Sequence, residues 1–158
     1  MPGDDAQDRA ASNDQERALR VGYAEARPWA YRIGPALRGL DVGAVDDVAT
    51  LLGMPAVFMP CLHADLQRGL RTRRFDIAIG GLQVPRAEDI LAIPVRHFIR
   101  ACTAPEAPVR ASSRLARVHF PNMWWVRRSE GGFAAALRLA LLRRHLRLAL
   151  LQRGVVAL

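Results

Sequence analysis

Apolar positions along this chain fall in short blocks that switch between strand-like alternation and helical recurrence. Leu19-Arg20-Val21-Gly22-Tyr23 reads as a strand. Val42, Val45, Val48, Ala49 and Leu52 recur at helical spacing, which predicts a helix capped by Asp41 and closed at Gly53. Ala56-Val57-Phe58-Met59 is a second strand pattern, and residues 63–72 form a second helix with Leu66 and Leu70 inward. Phe75-Asp76-Ile77-Ala78-Ile79 is a near-continuous apolar run, which suits a strand covered on both faces, and it finishes at Gly80-Gly81. Residues 24–39 form a loop with Pro28 and Pro35 as breakers.

Strand, helix, strand, helix, strand at this spacing predicts an α/β fold: three αβα layers around a parallel-type sheet with right-handed crossovers. Ligands of such sheets sit beyond the carboxyl ends of the strands. Topology alone therefore gathers segments 24–31, 61–65 and 80–86 on one rim.

Four regions follow. Residues 1–18 hold few apolar side chains and read as a disordered tail. Residues 19–98 are the α/β core. Residues 99–120 are rich in Ala, Pro, Ser, Thr and Arg, with Pro105 and Pro108 blocking regular structure, and read as a linker. Residues 121–158 hold the strand Met123-Trp124-Trp125-Val126, a Gly131-Gly132 turn and a Leu/Arg helix from Phe133 to about Gln152. On that helix Leu137, Leu141 and Leu148 share a face, whereas Leu139, Leu142, Leu146 and Leu150 spread around the others. A helix apolar on several sides is buried or paired, so homodimerisation through it is one reading. Its arginines do not segregate onto one polar face, which argues against an interfacial membrane helix.

With 158 residues and 51 % hydrophobic content the chain can bury one core. All 23 basic residues are Arg. The absence of Lys excludes Schiff-base chemistry and a P-loop lysine. Residues 1–47 carry a net −3 and residues 48–158 a net +11. The basic part suits an anionic partner: a carboxylate, a lipid surface or nucleic acid. No helix-turn-helix pattern precedes residue 19, so specific nucleic-acid reading is not expected. No apolar run reaches the roughly 20 residues of a membrane-spanning helix. No signal peptide is visible at Met1, so the chain as written reads as cytoplasmic. Cys61 and Cys102 are too few for a disulfide scaffold. Cys61-x-His63 has no second pair at ligand spacing, so no metal and no cofactor is expected.

Five motifs occur in register: Leu19-Arg20-Val21-Gly22, Pro28-Trp29-Ala30-Tyr31, Gly39-Leu40-Asp41-Val42, Ala64-Asp65-Leu66 with Gly69-Leu70, and Arg74-Phe75-Asp76-Ile77-Ala78-Ile79-Gly80-Gly81. This succession resembles the extracellular solute-binding proteins of family 3, the type II periplasmic binding proteins that feed polar amino acid ABC importers. Trp124-Trp125-Val126-Arg127-Arg128 and the following helix resemble the segment with which such proteins re-enter their first lobe. The resemblance implies a single lobe, with residues 99–120 standing where the family places a second. It also implies a periplasmic or extracellular location, a small polar ligand such as an amino acid, and a transporter partner.

In the family, aromatic rings sandwich the ligand, an Arg grips its carboxylate, and backbone or hydroxyl groups take its ammonium. By that resemblance Trp29 and Tyr31 supply aromatic contacts, and Gly80 and Gly81 bring backbone to the ligand. Gln83 replaces a hydroxyl residue, and His63, beside Asp65, stands where relatives have Trp. Arg86 lies two residues before the family's Arg position, which Glu88 occupies in strict register. The set of ligand-binding candidates is thus Trp29, Tyr31, His63, Asp65, Gly80, Gly81, Gln83 and Arg86. No catalytic residue is assigned. Two alternatives accompany the binding module: a dehydratase-like enzyme, since cyclohexadienyl dehydratases share the fold, and a ligand-sensing regulatory module. A His63–Asp65 pair could do acid–base work, although capping and surface roles are commoner for such a pair.

Overall fold

The computed structural model describes residues 17–100, 115–118 and 122–152. Its centre is a five-stranded sheet in the order β4-β1-β5-β9-β6. β1 (Leu19–Tyr23) lies between β4 (Ala56–Pro60) and β5 (Ile77–Leu82) and is parallel to both. β9 (Met123–Arg127) then pairs antiparallel with β5 and with β6 (Ile90–Pro94). The sheet is therefore mixed rather than wholly parallel: β9 runs against the other four strands. A returning chain that enters between two strands already laid down can do this without a further crossover helix.

Helices cover both faces. α1 (Leu40–Leu52) and α3 (Gly131–Gln152) pack on one side, over Val21, Ile77, Ile79, Trp124 and Val126. α2 (Leu66–Arg71), preceded by a 3₁₀ turn over His63–Asp65, lies on the other, over Ala78, Leu82 and Trp125. Period-two alternation explains the division, since Ile77 and Ile79 face α1 while Ala78 between them faces α2. Phe75 is fully buried beneath α2. A Cβ on Gly22 of β1 or on Gly69 of α2 would collide with its ring, so both glycines make room for it. Arg127 is buried beside it and donates at 2.8 Å to the carbonyls of both Leu70 and Phe75.

The edge strand β6 is not among the strands expected from sequence, and four short strands do not show in the apolar pattern. β2 (Tyr31–Ile33) and β3 (Ala36–Arg38) form a hairpin inside the 24–39 loop. β7 (His97–Arg100) and β8 (Leu115–Val118) form a separate antiparallel ladder. Residues 99–100 and 115–118 of the stretch read as a linker are thus paired strand; residues 101–114 and 119–121 lie outside the described residues. So do residues 1–16 of the expected tail, while its last residue, Ala18, is buried.

Three local readings need correction. β5 begins at Ile77 and runs through Gly80 and Gly81 to Leu82, rather than ending at the glycines. Gly131-Gly132 opens α3 instead of making a turn. Asp41 does not cap α1: Gly39 holds the N-cap position and Asp41 lies buried in the first turn. Gly53 does close α1, in the left-handed conformation.

The leucines of α3 are also better ordered than expected. Ala134, Leu137 and Ala140 are buried against the sheet and α1, whereas Leu139, Leu142, Leu146 and Leu150 are all exposed. At about 100° per residue these four fall on one line opposite the buried face, not scattered around the helix.

Candidate functional site

The rim expected from topology forms at the carboxyl ends of β1, β4 and β5. Its floor is the Gly80–Gly81 step of β5. Both residues have positive φ, 119° and 69°, and the register to β9 shifts here. Only glycine takes the first of these conformations comfortably. A Cβ at Gly80 would strike the Ala24 carbonyl, and one at Gly81 would strike the indole of Trp29. Trp29 therefore lies directly across the Gly81 backbone, and the His97 ring stands 5.7 Å from it between centroids.

The bulge is held from below by Asp41. Its carboxylate accepts from the Gly80 amide at 3.2 Å, from Asn122 Nδ2 at 2.6 Å and from Trp124 Nε1 at 3.0 Å. His97 Nε2 lies 2.7 Å from the same carboxylate and, when protonated at that nitrogen, donates to it. All four side chains are buried. A carboxylate held by this many donors satisfies its charge without solvent. The helix start contributes as well, since α1 directs its positive end towards Asp41.

Beside the bulge is a depression of about 350 Å³. Its wall includes His63, Gly81, Gln83, Arg86 and Trp125. Trp125 is fixed by its Nε1, which donates to the Gln83 carbonyl at 2.7 Å, and by a T-shaped contact with the His63 ring, 6.0 Å between centroids. The structure thus brings His63, Gly81, Gln83 and Arg86 together, with Trp29 and Gly80 adjoining them. Arg86 reaches the wall from two residues before the family's Arg register.

Two candidates lie elsewhere. Tyr31 lines a separate, more open groove of about 640 Å³ with Pro28, Ile33 and Ala36, and the Arg27 guanidinium stacks 4.4 Å from its ring centroid. Asp65 pairs with Arg68 at 3.1 Å on the exposed side of α2, as an i,i+3 neighbour does. The His63 ring meets Trp125 rather than Asp65, so the geometry assembles no His63–Asp65 acid–base pair. Burial pushes the thiol of nearby Cys61 upward, away from the reactive thiolate form.

Sequence reasoning missed Trp125 as a wall residue and Asp41, His97 and Asn122 as its support. Alternation could have found the first: with Trp124 inward towards α1, Trp125 must face the α2 side. No local signal marks the others.

No protein-family model and no curated protein matches this sequence. Solved structures do match it. Domain 1 of TmArgBP in its arginine-bound form aligns with a TM-score of 0.61 at 16 % identity, over 84 % of this chain and 97 % of that one. An ancestral cationic amino acid solute binding protein aligns with a TM-score of 0.64 at 13 % identity, over 92 % and 96 %. The arginine-specific periplasmic binding protein of Salmonella typhimurium gives 0.58 at 12 %, over 80 % and 92 %. Together with the mixed five-stranded sheet and its covering helices, these likenesses show that the chain has the fold of a type II periplasmic-binding-protein domain, the fold its sequence motifs implied.

Proposed function

We propose that this chain is a single-lobe solute-binding module that takes a small amino acid, weakly, on the shelf between Trp29 and Arg86. The observation that carries this reading is the joining of Gln83, Arg86 and His63 around one depression beside the Gly80–Gly81 bulge. A guanidinium fork matches both oxygens of a carboxylate. Trp125 and Trp29 supply apolar walls at low conformational cost. Gln83 offers an amide that accepts from an ammonium or donates to a carboxylate.

The electrostatics favour a neutral or acidic amino acid. Arg86 is the charged residue of the lining, and no Asp or Glu lines the depression among the described residues. A cationic side chain would find no counter-charge there. Residues 99–120 stand in place of a second lobe in this reading, so the ligand stays half solvated. Enclosed sites bury ~70–90 % of a ligand, and an open shelf forgoes much of that. We therefore expect a Kd on the order of 1 mM, about −4 kcal/mol. Delivery to an ABC importer is the role that fits such a module.

Titration of glutamine, glutamate and arginine into the full chain, followed by tryptophan fluorescence and calorimetry, tests this. Glutamine or glutamate should bind near millimolar, and Arg86→Gln should weaken either by roughly tenfold, as loss of a charge-assisted pair does. Arginine should bind worst. Micromolar affinity in a monomer would refute the open shelf, and no response to any of the three would refute the binding role.

A further inference from the structure

α3 presents two apolar faces, and the sheet and α1 use only one. The outward line of Leu139, Leu142, Leu146 and Leu150 is 49 %, 53 %, 53 % and 42 % exposed. At about 100° per residue the four span about 80°. On the same projection Arg138 lies on one side of them, and Arg143 and Arg147 on the other. Arg144 turns inward and pairs with Asp47 of α1 at 2.8 Å. α3 has no Asp or Glu in any of its 22 residues. The arginines, which looked unsegregated in sequence, thus bound a leucine stripe once the buried face is known. That is the pattern of a helix lying in a lipid–water interface.

A second copy of the chain fits this face poorly. Four half-exposed leucines offer on the order of 400 Å², against the roughly 800 Å² per partner of a stable interface. Paired α3 helices would also set arginine rows against each other with no acidic residue between them. A convex stripe flanked by cations suits a broad anionic surface instead, where long Arg side chains reach past the leucines to phosphate.

We propose that the outward face of α3 docks on an anionic lipid bilayer, its leucines entering the interface and Arg138, Arg143 and Arg147 meeting lipid phosphates. This is independent of the shelf and of what the shelf binds. The full chain would be floated with vesicles of pure phosphatidylcholine, and with vesicles containing an equal part of phosphatidylglycerol. It should float with the mixed vesicles at low salt, release as salt rises, and remain unbound to the neutral ones. Leu142→Gln with Leu146→Gln should cut the bound fraction at least about fivefold, as should Arg143→Gln with Arg147→Gln. Circular dichroism should show all variants folded, because these side chains point away from the core. Failure to bind mixed vesicles at low salt overturns the proposal, as does binding indifferent to the leucine changes. A light-scattering dimer dissolved by Leu142→Gln would assign the face to a second copy and overturn it as well.

Discussion

The Asp41 carboxylate accepts the amide of Gly80, 39 residues further along, and so ties the first turn of α1 to the one place where β5 departs from regular strand geometry. The same carboxylate takes Asn122 and Trp124 and meets His97. It is a buried hub on which three separate segments converge, and the shelf rests on it.

Removing that hub should be costly. Asp41→Ala strips one acceptor from several buried donors and should destabilise the protein by about 3–5 kcal/mol. Asp41→Asn retains one acceptor oxygen and should cost less. Urea unfolding of both variants checks the order, and equal stability of Asp41→Ala and the parent would contradict it.

Gly81→Ala should act on both the shelf and the fold. The new methyl group meets the Trp29 indole at a φ of 69°. A strained left-handed residue costs about 1–3 kcal/mol, and the ring must move away besides. Tryptophan fluorescence should shift while the far-ultraviolet spectrum stays unchanged.

Phe75 tests the opposite face. Its ring fills the space between Gly22 and Gly69, so Phe75→Ala leaves a cavity that neither backbone can close. The expected loss is about 3–5 kcal/mol. A loss below 1 kcal/mol would mean that α2 settles onto β1, which a crystal structure of the variant would reveal.

Acid should weaken one surface tie. Arg71 donates to Asp89 at 2.7 Å and 2.9 Å, and this hydrogen-bonded pairing holds the Asp89 carboxyl below its usual range. A lowered folded-state pKa adds stability above the unfolded value of about 4 and loses it as pH falls through the folded value. Arg71→Gln should therefore lower the melting temperature at pH 7 more than at pH 2.5. The difference should shrink in molar salt, because the pair is exposed.

Much of this fold was legible because its signals are local. Val42, Val45 and Val48 repeat within α1, Leu19-Arg20-Val21 alternates within β1, and Ala56-Val57-Phe58-Met59 is a short apolar block within β4. β2, β3, β7 and β8 were not, since each has only three or four residues and takes its pairing from a partner rather than from a periodic pattern. Asp41 was misread for a related reason. An acidic residue just before an apolar helical run is a capping signal, and the partners that override it lie 39 to 83 residues away. Of the shelf, Gly81, Gln83, Arg86 and His63 could be placed together because strand ends share a rim. Tyr31 was diverted by a hairpin that its own segment does not announce.

The β7–β8 ladder ends with Arg100 opposite Leu115, so the chain leaves and re-enters at neighbouring points. At the base of the same pair, the Val95 amide donates to the Asn122 carbonyl at 3.0 Å. An insert placed between two such adjacent exits need not prise apart the body that carries it. The site between residues 100 and 115 is therefore a natural socket, ready to receive a reporter or a grafted jaw while the sheet beneath keeps its shape.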